Sequence, residues 1–422
     1  MHALARRLYP VHRAQTGKGV RETLRILSEL MPLAVHEIPS GTAVLDWTVP
    51  QEWRLHDAYV ADSEGNRVID VRASTLHLVN GSRPVRARMM WSELVPHLHT
   101  LPEQPDLVPY VTGFFRDMWG FCLSQREFDR LAALGDREYE VVIDAELFDG
   151  SLTYGEWVLP GESDDEILLW THCCHPSLAN DNLSGTVVAA HLARRLAGRP
   201  RRLGIRIVVA PATIGAIAWL ATNNDILPRI RHGLVLSLLG DDGDFTYKRS
   251  RAGNLPIDRA VEHVLRGSTH ELRDFVPWGY DERQFASPGF DLPVGALTRT
   301  AAGEFPQYHT SADDLDFITP EALEGSLDLL EAVIDVLEHD ATYRNLRPHG
   351  EPMLGKHGLY ETLPDGDRRT FQQAVQWVLN LSDGTHSLLA IAERAGLPFA
   401  IVRDAAERLE GCGLLACCEE AL

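Results

Sequence analysis

Hydrophobic and polar positions change rhythm twice along this chain of 422 residues. In residues 21–31, Leu24, Ile26, Leu27 and Leu30 are spaced to line one face of a helix. From 43 to 88 the apolar runs shorten to strand length. Runs at 43–47, 57–61 and 67–71 are separated by turn clusters such as Ser63-Glu64-Gly65-Asn66, which predicts a small β-rich unit. Pro102, Pro105 and Pro109 then punctuate a connector. Predicted strands at 139–148 and 152–159 flank Asp149-Gly150, a dipeptide that favours a tight hairpin.

From 167 onward the rhythm becomes strand then helix, repeated. Strands are expected at 167–170, 203–210, 233–239 and 292–297, and helices at 183–197, 215–222, 257–266 and 320–338. This alternation predicts an α/β fold with a mostly parallel sheet flanked by helices. Ligands in such sheets collect at the carboxyl ends of the strands. A polar, Pro/Gly-punctuated linker at 344–367 follows. Helices at 370–381, 387–395 and 398–410 and a short strand at 413–417 then suggest a C-terminal winged helix. Its helices mix Glu393, Asp404, Glu407 and Glu410 with Arg394, Arg403 and Arg408, a balance that suits packing or a protein partner better than reading DNA.

Composition narrows the class. Apolar residues at 45% and charged residues at 24% exclude disorder, collagen and coiled coil as the main state. The formal charge of −20 argues against nucleic acid as a partner. The uncharged stretch 207–224 is long enough for a membrane span, but Pro211, Gly215 and the polar residues near its end make it a buried strand, a turn and a helix. The basic start, broken by Pro10, has no signal-peptide core, and a cytoplasmic protein is expected. Cys122, Cys173, Cys174, Cys412, Cys417 and Cys418 show neither a disulfide framework nor a CxxC metal spacing, so reduced thiols are expected.

The 18 histidines direct attention to two segments. Thr171 to Gly185 reads THCCHPSLANDNLSG, leaving the end of one predicted strand and entering a helix. It places His172, His175 and Asp181 in one loop, and imidazole and carboxylate are ligands that zinc accepts. The alternative is a polar loop in which Asp181 or Asn182 caps the helix. Tyr308 to Leu315, YHTSADDL, lies before the final long helix, where His309 either completes a site begun at His172 or is incidental beside a helix cap.

Together with GYDERQFASPGFDLPVG (279–295) and YHTSADDLDFI (308–318), the first segment resembles the aminopeptidase-like zinc hydrolases, a superfamily that includes co-catalytic zinc aminopeptidases and glutaminyl cyclases. The whole chain is most similar to a bacterial branch with an inserted β-rich domain and a C-terminal winged helix. Leu8-Tyr9-Pro10, Thr16-Gly17-Lys18-Gly19 and Trp119-Gly120-Phe121-Cys122 fit that branch too. The resemblance implies a catalytic domain at 1–42 and 132–345, an inserted domain at 43–131, a linker at 346–367 and a winged helix at 368–422. It implies one or two zinc ions, with His172, Asp181 and His309 as ligands and Asp181 bridging if two metals bind. His175 is the rival first ligand. The superfamily's second-metal acid falls near a strand that here carries Ser237, with Asp241 and Asp242 the nearest acids. Asp281 and Glu282 occupy a segment where the superfamily lines its site with an acid, able to hold a substrate amine or a ligand histidine. Arg283 and Tyr308 are candidate substrate contacts, Arg283 for a carboxylate.

One position departs from the pattern. After the 203–210 strand the family carries Pro-Glu-Thr-Ile-Gly, whereas this chain reads Pro211-Ala212-Thr213-Ile214-Gly215. The missing glutamate is the expected general base or a metal ligand. Ala212 fits an engineered replacement, a protein retained for binding, or an enzyme in which Glu282 or Asp241 has taken over. The expected function is a zinc-dependent aminopeptidase-like hydrolase cleaving a peptide or amide bond of a small peptide or biosynthetic intermediate. The alternative is a catalytically dead peptide- or metal-binding scaffold. A homo-oligomer, or a protein partner recruited by the winged helix, is left open.

Overall fold

The computed structural model describes residues 1–357 and 368–418. They form two compact units, one of residues 1–253 and 269–328, the other of residues 254–268 and the chain from 329. The first unit is built on an eight-stranded sheet. Its order is Ala34–Pro39, Ser151–Leu159, Gly204–Ala210, Glu166–His172, Ile230–Leu236, Val294–Thr298, Phe245–Lys248 and His270–Arg273. The four middle strands are mutually parallel, as the alternating pattern predicts. Glu166–His172 and Gly204–Ala210 are buried along their whole length, because helices cover both faces of a parallel sheet. Trp170, Val208, Trp219, Val235 and Phe285 lie in its core.

The remainder of the first unit includes the β-rich part. Arg67–Asp70, Glu52–Ala61, Glu138–Phe148 and Val85–Met90 form an antiparallel sheet in that order. Ala58, Val60, Tyr139, Val141 and Ile143 pack with Trp91, Trp119 and Phe121 in a core of its own. This sheet overturns the hairpin expected at Asp149-Gly150. Glu138–Phe148 belongs to the four-stranded sheet, while Ser151–Leu159 pairs with Ala34–Pro39 and Gly204–Ala210 in the large one. Asp149-Gly150 is therefore a crossover between sheets. The burial patterns differ accordingly: the middle of Ser151–Leu159 is covered throughout, whereas Glu138–Phe148 alternates toward its end between buried and exposed positions. Ser40 secures the crossover by exchanging hydrogen bonds with Gly150 at 2.9 and 3.2 Å.

Element ends also moved. The first amphipathic helix occupies Lys18–Leu27 and starts directly after Gly17, whose φ of 99° suits glycine. The strand expected at 233–239 is Ile230–Leu236, and Leu238, with φ 53°, ends it.

In the second unit, helices Arg368–Leu381, Leu388–Ala395 and Phe399–Gly411 accompany a three-stranded antiparallel sheet of Asp383–Ser387, Thr342–Asn345 and Leu415–Cys417. This is a winged helix. Phe371, Val378, Ile391, Val402 and Leu409 are buried in it. The Pro256–Leu265 helix groups with it: Phe399 N donates to His263 Nε2 at 3.1 Å, and Arg259 pairs with Glu393 at 2.6 Å. Part of the expected linker, 358–367, and the last four residues of the expected winged helix lie outside the described residues. No helix of the described residues is long and apolar enough to cross a membrane. None of the six cysteines is in a disulfide.

Candidate metal centre

The candidate site lies at the carboxyl end of the parallel strands. Glu166–His172 delivers His172 at its last residue, and an irregular helical segment, Ala179–Ser184, follows. Alternate side chains of that segment lock it to the neighbouring strand end. Asn180 Oδ1 accepts from Gly240 N at 2.9 Å, Asn182 Oδ1 from Leu238 N at 3.1 Å, and Ser184 Oγ from Leu239 N at 2.8 Å. The NDNLS run is thus a ladder of side chains replacing a strand partner, and it leaves Asp181 facing the other way, into the histidines.

Asp181 is fully buried and both its oxygens are engaged. Its Oδ1 lies 2.9 Å from His172 Nε2, and its Oδ2 lies 2.9 Å from His309 Nε2 and 3.9 Å from His175 Nε2. Burial pushes this carboxyl up, but His175 nearby and the hydrogen bonds to His172 and His309 outweigh it and hold Asp181 well below the carboxylate range. Burial pushes His175 down to about 3, so its imidazole is neutral at ordinary pH, the form a metal takes. Among the described residues, His172, His175 and Asp181 form the cluster whose ligand atoms all lie within 4.8 Å of one another. Tetrahedral zinc holds N and O ligands about 3.3 Å apart, from bonds of roughly 2.0–2.1 Å. The separations of 2.9, 2.9 and 3.9 Å about Asp181 lie on either side of that figure and the donor types suit the ion, while His309, close to Asp181, is not in the group whose atoms are all mutually close.

The other residues singled out from the sequence are distributed around this cluster. Tyr308 stacks on His309 at 4.0 Å and its hydroxyl lies 3.2 Å from that of Tyr280, which itself stacks on His172 at 4.8 Å. Asp281 is buried beside His172, with Trp170 Nε1 donating to its Oδ2 at 2.7 Å and Oδ1 without a partner. Burial pushes Asp281 up to about 6. Glu282 is buried against Lys248, and Arg283 keeps its Nε buried and unpaired. Asp241 does not join the cluster. Its oxygens are taken by Asn180 Nδ2 at 2.9 Å, Thr300 Oγ1 at 2.6 Å and Gly243 N at 2.8 Å, so it braces the Asn180 rung. Ala212 sits where the Gly204–Ala210 strand turns into the Ile214–Thr222 helix, and its carbonyl accepts from Gln15 Nε2 at 3.2 Å and from Cys174 Sγ at 3.7 Å.

Three contributors were missed in the sequence. Asp313 is buried and its carboxylate accepts from Asn180 N at 2.5 Å and Asp181 N at 2.9 Å, tying the late His309 segment to the early loop. It lies inside the YHTSADDL motif, so the signal was present, but a helix cap explained it as well. Tyr110 packs edge-on against His175 and His309, each at 5.1 Å, although it sits in a proline-rich stretch that looked like a connector. Arg13 is 1% exposed and donates through Nε to the His175 carbonyl at 2.7 Å, which no local pattern announced.

A family model described as a domain of unknown function (DUF4910) matches residues 2–340. The chain belongs to this family. A winged helix-turn-helix model matches residues 341–417 of the same DUF4910 protein. A Clostridium acetobutylicum protein, named for polysaccharide biosynthesis and an aminopeptidase-like domain, is 46% identical over 412 residues, covering 97% of this chain and 94% of its own. A crystal structure of a Clostridium acetobutylicum protein named as a peptidase superposes with a TM-score of 0.94 at 45% identity, covering 99% of this chain and 96% of that one. The zinc aminopeptidase BSAP of Bacillus subtilis superposes with a TM-score of 0.58 at 13% identity, over 79% of this chain and 93% of its own, which shows a shared fold. The DUF4910 chain therefore has the aminopeptidase-like hydrolase fold with a winged helix added.

Proposed function

We propose that this protein is a zinc-dependent, cytoplasmic aminopeptidase-like hydrolase acting on a peptide or amide bond of a small substrate, with its general-base position occupied by Ala212. The observation that carries this reading is the convergence of His172, His175 and His309 on one buried carboxylate, Asp181, at the carboxyl end of a parallel sheet. His172 and Asp181 would hold the ion with either His175, which shares their mutual spacing, or His309, which touches Asp181. When bound, zinc supplies Lewis acidity toward the scissile carbonyl and the attacking water. The protein's own groups do the rest. Tyr280 and Tyr308 stack on His172 and His309 and Tyr110 meets His309 edge-on, so aromatic rings wall the cluster. Asp281, with one free buried oxygen, is placed to accept a substrate amine, and Arg283 is the candidate for a carboxylate.

Proton removal from the attacking water needs a carboxylate, and Ala212 has none. Of the two acids that could replace it, Asp241 is taken by Asn180, Thr300 and Gly243, while Glu282 pairs with Lys248 through Oε1 and keeps Oε2 buried without a partner. Ala212→Glu should therefore raise turnover by roughly 10²–10⁴-fold across a panel of aminoacyl amides and short peptides. No gain on any substrate, or purified protein that takes up no zinc, counts against the hydrolase reading. The relative's name supports a biosynthetic intermediate as substrate. Ala212 itself favours a second reading, a scaffold that binds peptide or metal without turnover. Tight peptide binding by both the parent chain and Ala212→Glu, with hydrolysis by neither, would select it.

A further inference from the structure

The N-terminal strap, residues 8–16, holds the first histidine loop at both ends of a three-residue span. Arg13 Nε donates to His175 O at 2.7 Å, and Ser177 Oγ donates to Tyr9 O at 3.0 Å. Thr75 Oγ1 donates to Ser177 Oγ at 2.8 Å, and Pro176 between the two anchors has no N–H of its own to give. Arg13 is itself fixed to the strap: its Nη1 donates to Leu8 O at 2.7 Å, and its own carbonyl accepts from Asn80 Nδ2 at 2.8 Å. The guanidinium therefore ties the His175 carbonyl to a chain segment 162 residues earlier.

Arg13 is 1% exposed, no carboxylate among the described residues pairs with it, and its Nη2 is buried without a partner. A buried cation without a counter-charge is costly, so the strap is not stabilised by the charge itself. What the guanidinium adds is a planar fork that fixes two carbonyls relative to each other, which the point charge of a lysine does not. The His175 ring needs such a hold. A metal-binding imidazole ordinarily donates its second nitrogen to a carboxylate, a backbone carbonyl or water, and this fixes the ring. His175 Nδ1 meets the Cys174 thiol at 3.8 Å, and among the described residues neither a carboxylate nor a carbonyl reaches it. Its Nε2 faces Asp181 Oδ2 at 3.9 Å. The ring depends on its backbone for its place, and Arg13 grips that backbone.

We propose that Arg13 is a positioning residue of the metal centre: by gripping the His175 carbonyl it keeps His175 within ligand spacing of His172 and Asp181. It rests on the metal-centre reading given above and is specific to His175, since His309 reaches Asp181 from the other segment. The test is the zinc affinity of the full chain, measured by competition with a chelator. Arg13→Lys keeps a cation but loses the fork, and should weaken zinc binding roughly 10–100-fold, the usual loss when a group that orients a ligand is removed. Ser177→Ala releases the other end of the span, should weaken binding in the same direction by less, and carries the same comparison if the buried lysine prevents folding. A double-mutant cycle separates positioning from general loosening. The Arg13→Lys effect should vanish in a His175→Gln background and persist in a His309→Gln background. An equal effect in both backgrounds, or zinc binding unaltered by Arg13→Lys and by Ser177→Ala, overturns the positioning role while the metal centre stands. A parent chain that binds no zinc overturns the metal centre and the positioning role with it.

Discussion

Asp313 is where the two halves of the candidate site are joined, and its removal has a calculable effect. The carboxylate accepts from Asn180 N at 2.5 Å and from Asp181 N at 2.9 Å, inside a region closed to solvent. Asp313→Asn preserves size but replaces one accepting oxygen with an NH2 group that faces a backbone N–H. At least one buried donor then loses its partner, at about 1–3 kcal/mol. The same change frees the backbone that aims Asp181 at His172 and His309. Loss of a group that orients a metal ligand typically weakens metal binding by roughly 10–100-fold. Urea denaturation of the metal-free protein should therefore show the stability loss, and competition with a zinc chelator should show the affinity loss. Asp313→Ala should be worse on both scales, since it leaves both donors unpaired. If Asp313→Asn matches the parent in unfolding midpoint and in zinc affinity, Asp313 does not couple the two segments.

Three further outcomes follow from the packing. Arg206, 5% exposed, pairs with Glu166 at 2.6 Å and Glu156 at 2.9 Å, so Arg206→Met takes the arginine from buried Glu156, leaves Glu166 with Arg229 at 2.7 Å, and should cost about 3 kcal/mol in denaturant unfolding; a loss below about 1 kcal/mol would contradict a buried network. Burial lowers His12 and His232 to about 4 in the folded chain, whereas an unfolded histidine titrates near 6.5. The folded state binds fewer protons between those values, so stability is full above about pH 6.5 and declines as pH falls toward about 4. His232→Gln should flatten that decline when unfolding is followed from pH 7 to 4.5. Trp170→Phe removes the donor to Asp281 Oδ2 and should lower unfolding stability by about 1–3 kcal/mol; in an Asp281→Ala background the loss should shrink, because no carboxylate remains to be stranded.

Much of this molecule was legible from residue order. Alternation of short apolar runs with helical periods located the parallel sheet, because strands buried on both faces must be apolar throughout. The uncharged stretch 207–224 resolved into the Gly204–Ala210 strand, the turn at Ala212 and the Ile214–Thr222 helix, as its Pro211 and Gly215 suggested. His172, His175, Asp181 and His309 were named from two motifs, and the fold brings all four together.

What the residue order determined is local: which faces are apolar, where turns fall, and which side chains can ligate or titrate. Tertiary structure decided what meets what. Periodicity reports that a strand is covered but not by which neighbour, so Asp149-Gly150 read as a hairpin although its flanking strands lie in separate sheets. His309 reaches Asp181 across 128 residues, and Tyr110 and Arg13 reach His175 from parts of the chain with no chemical signature of their own. Such meetings depend on sheet order and loop closure, which are set by the summed burial of the whole core rather than by any one segment. Asp241 shows the same division: its charge marked it as a candidate ligand, and packing against Asn180 and Thr300 made it a brace.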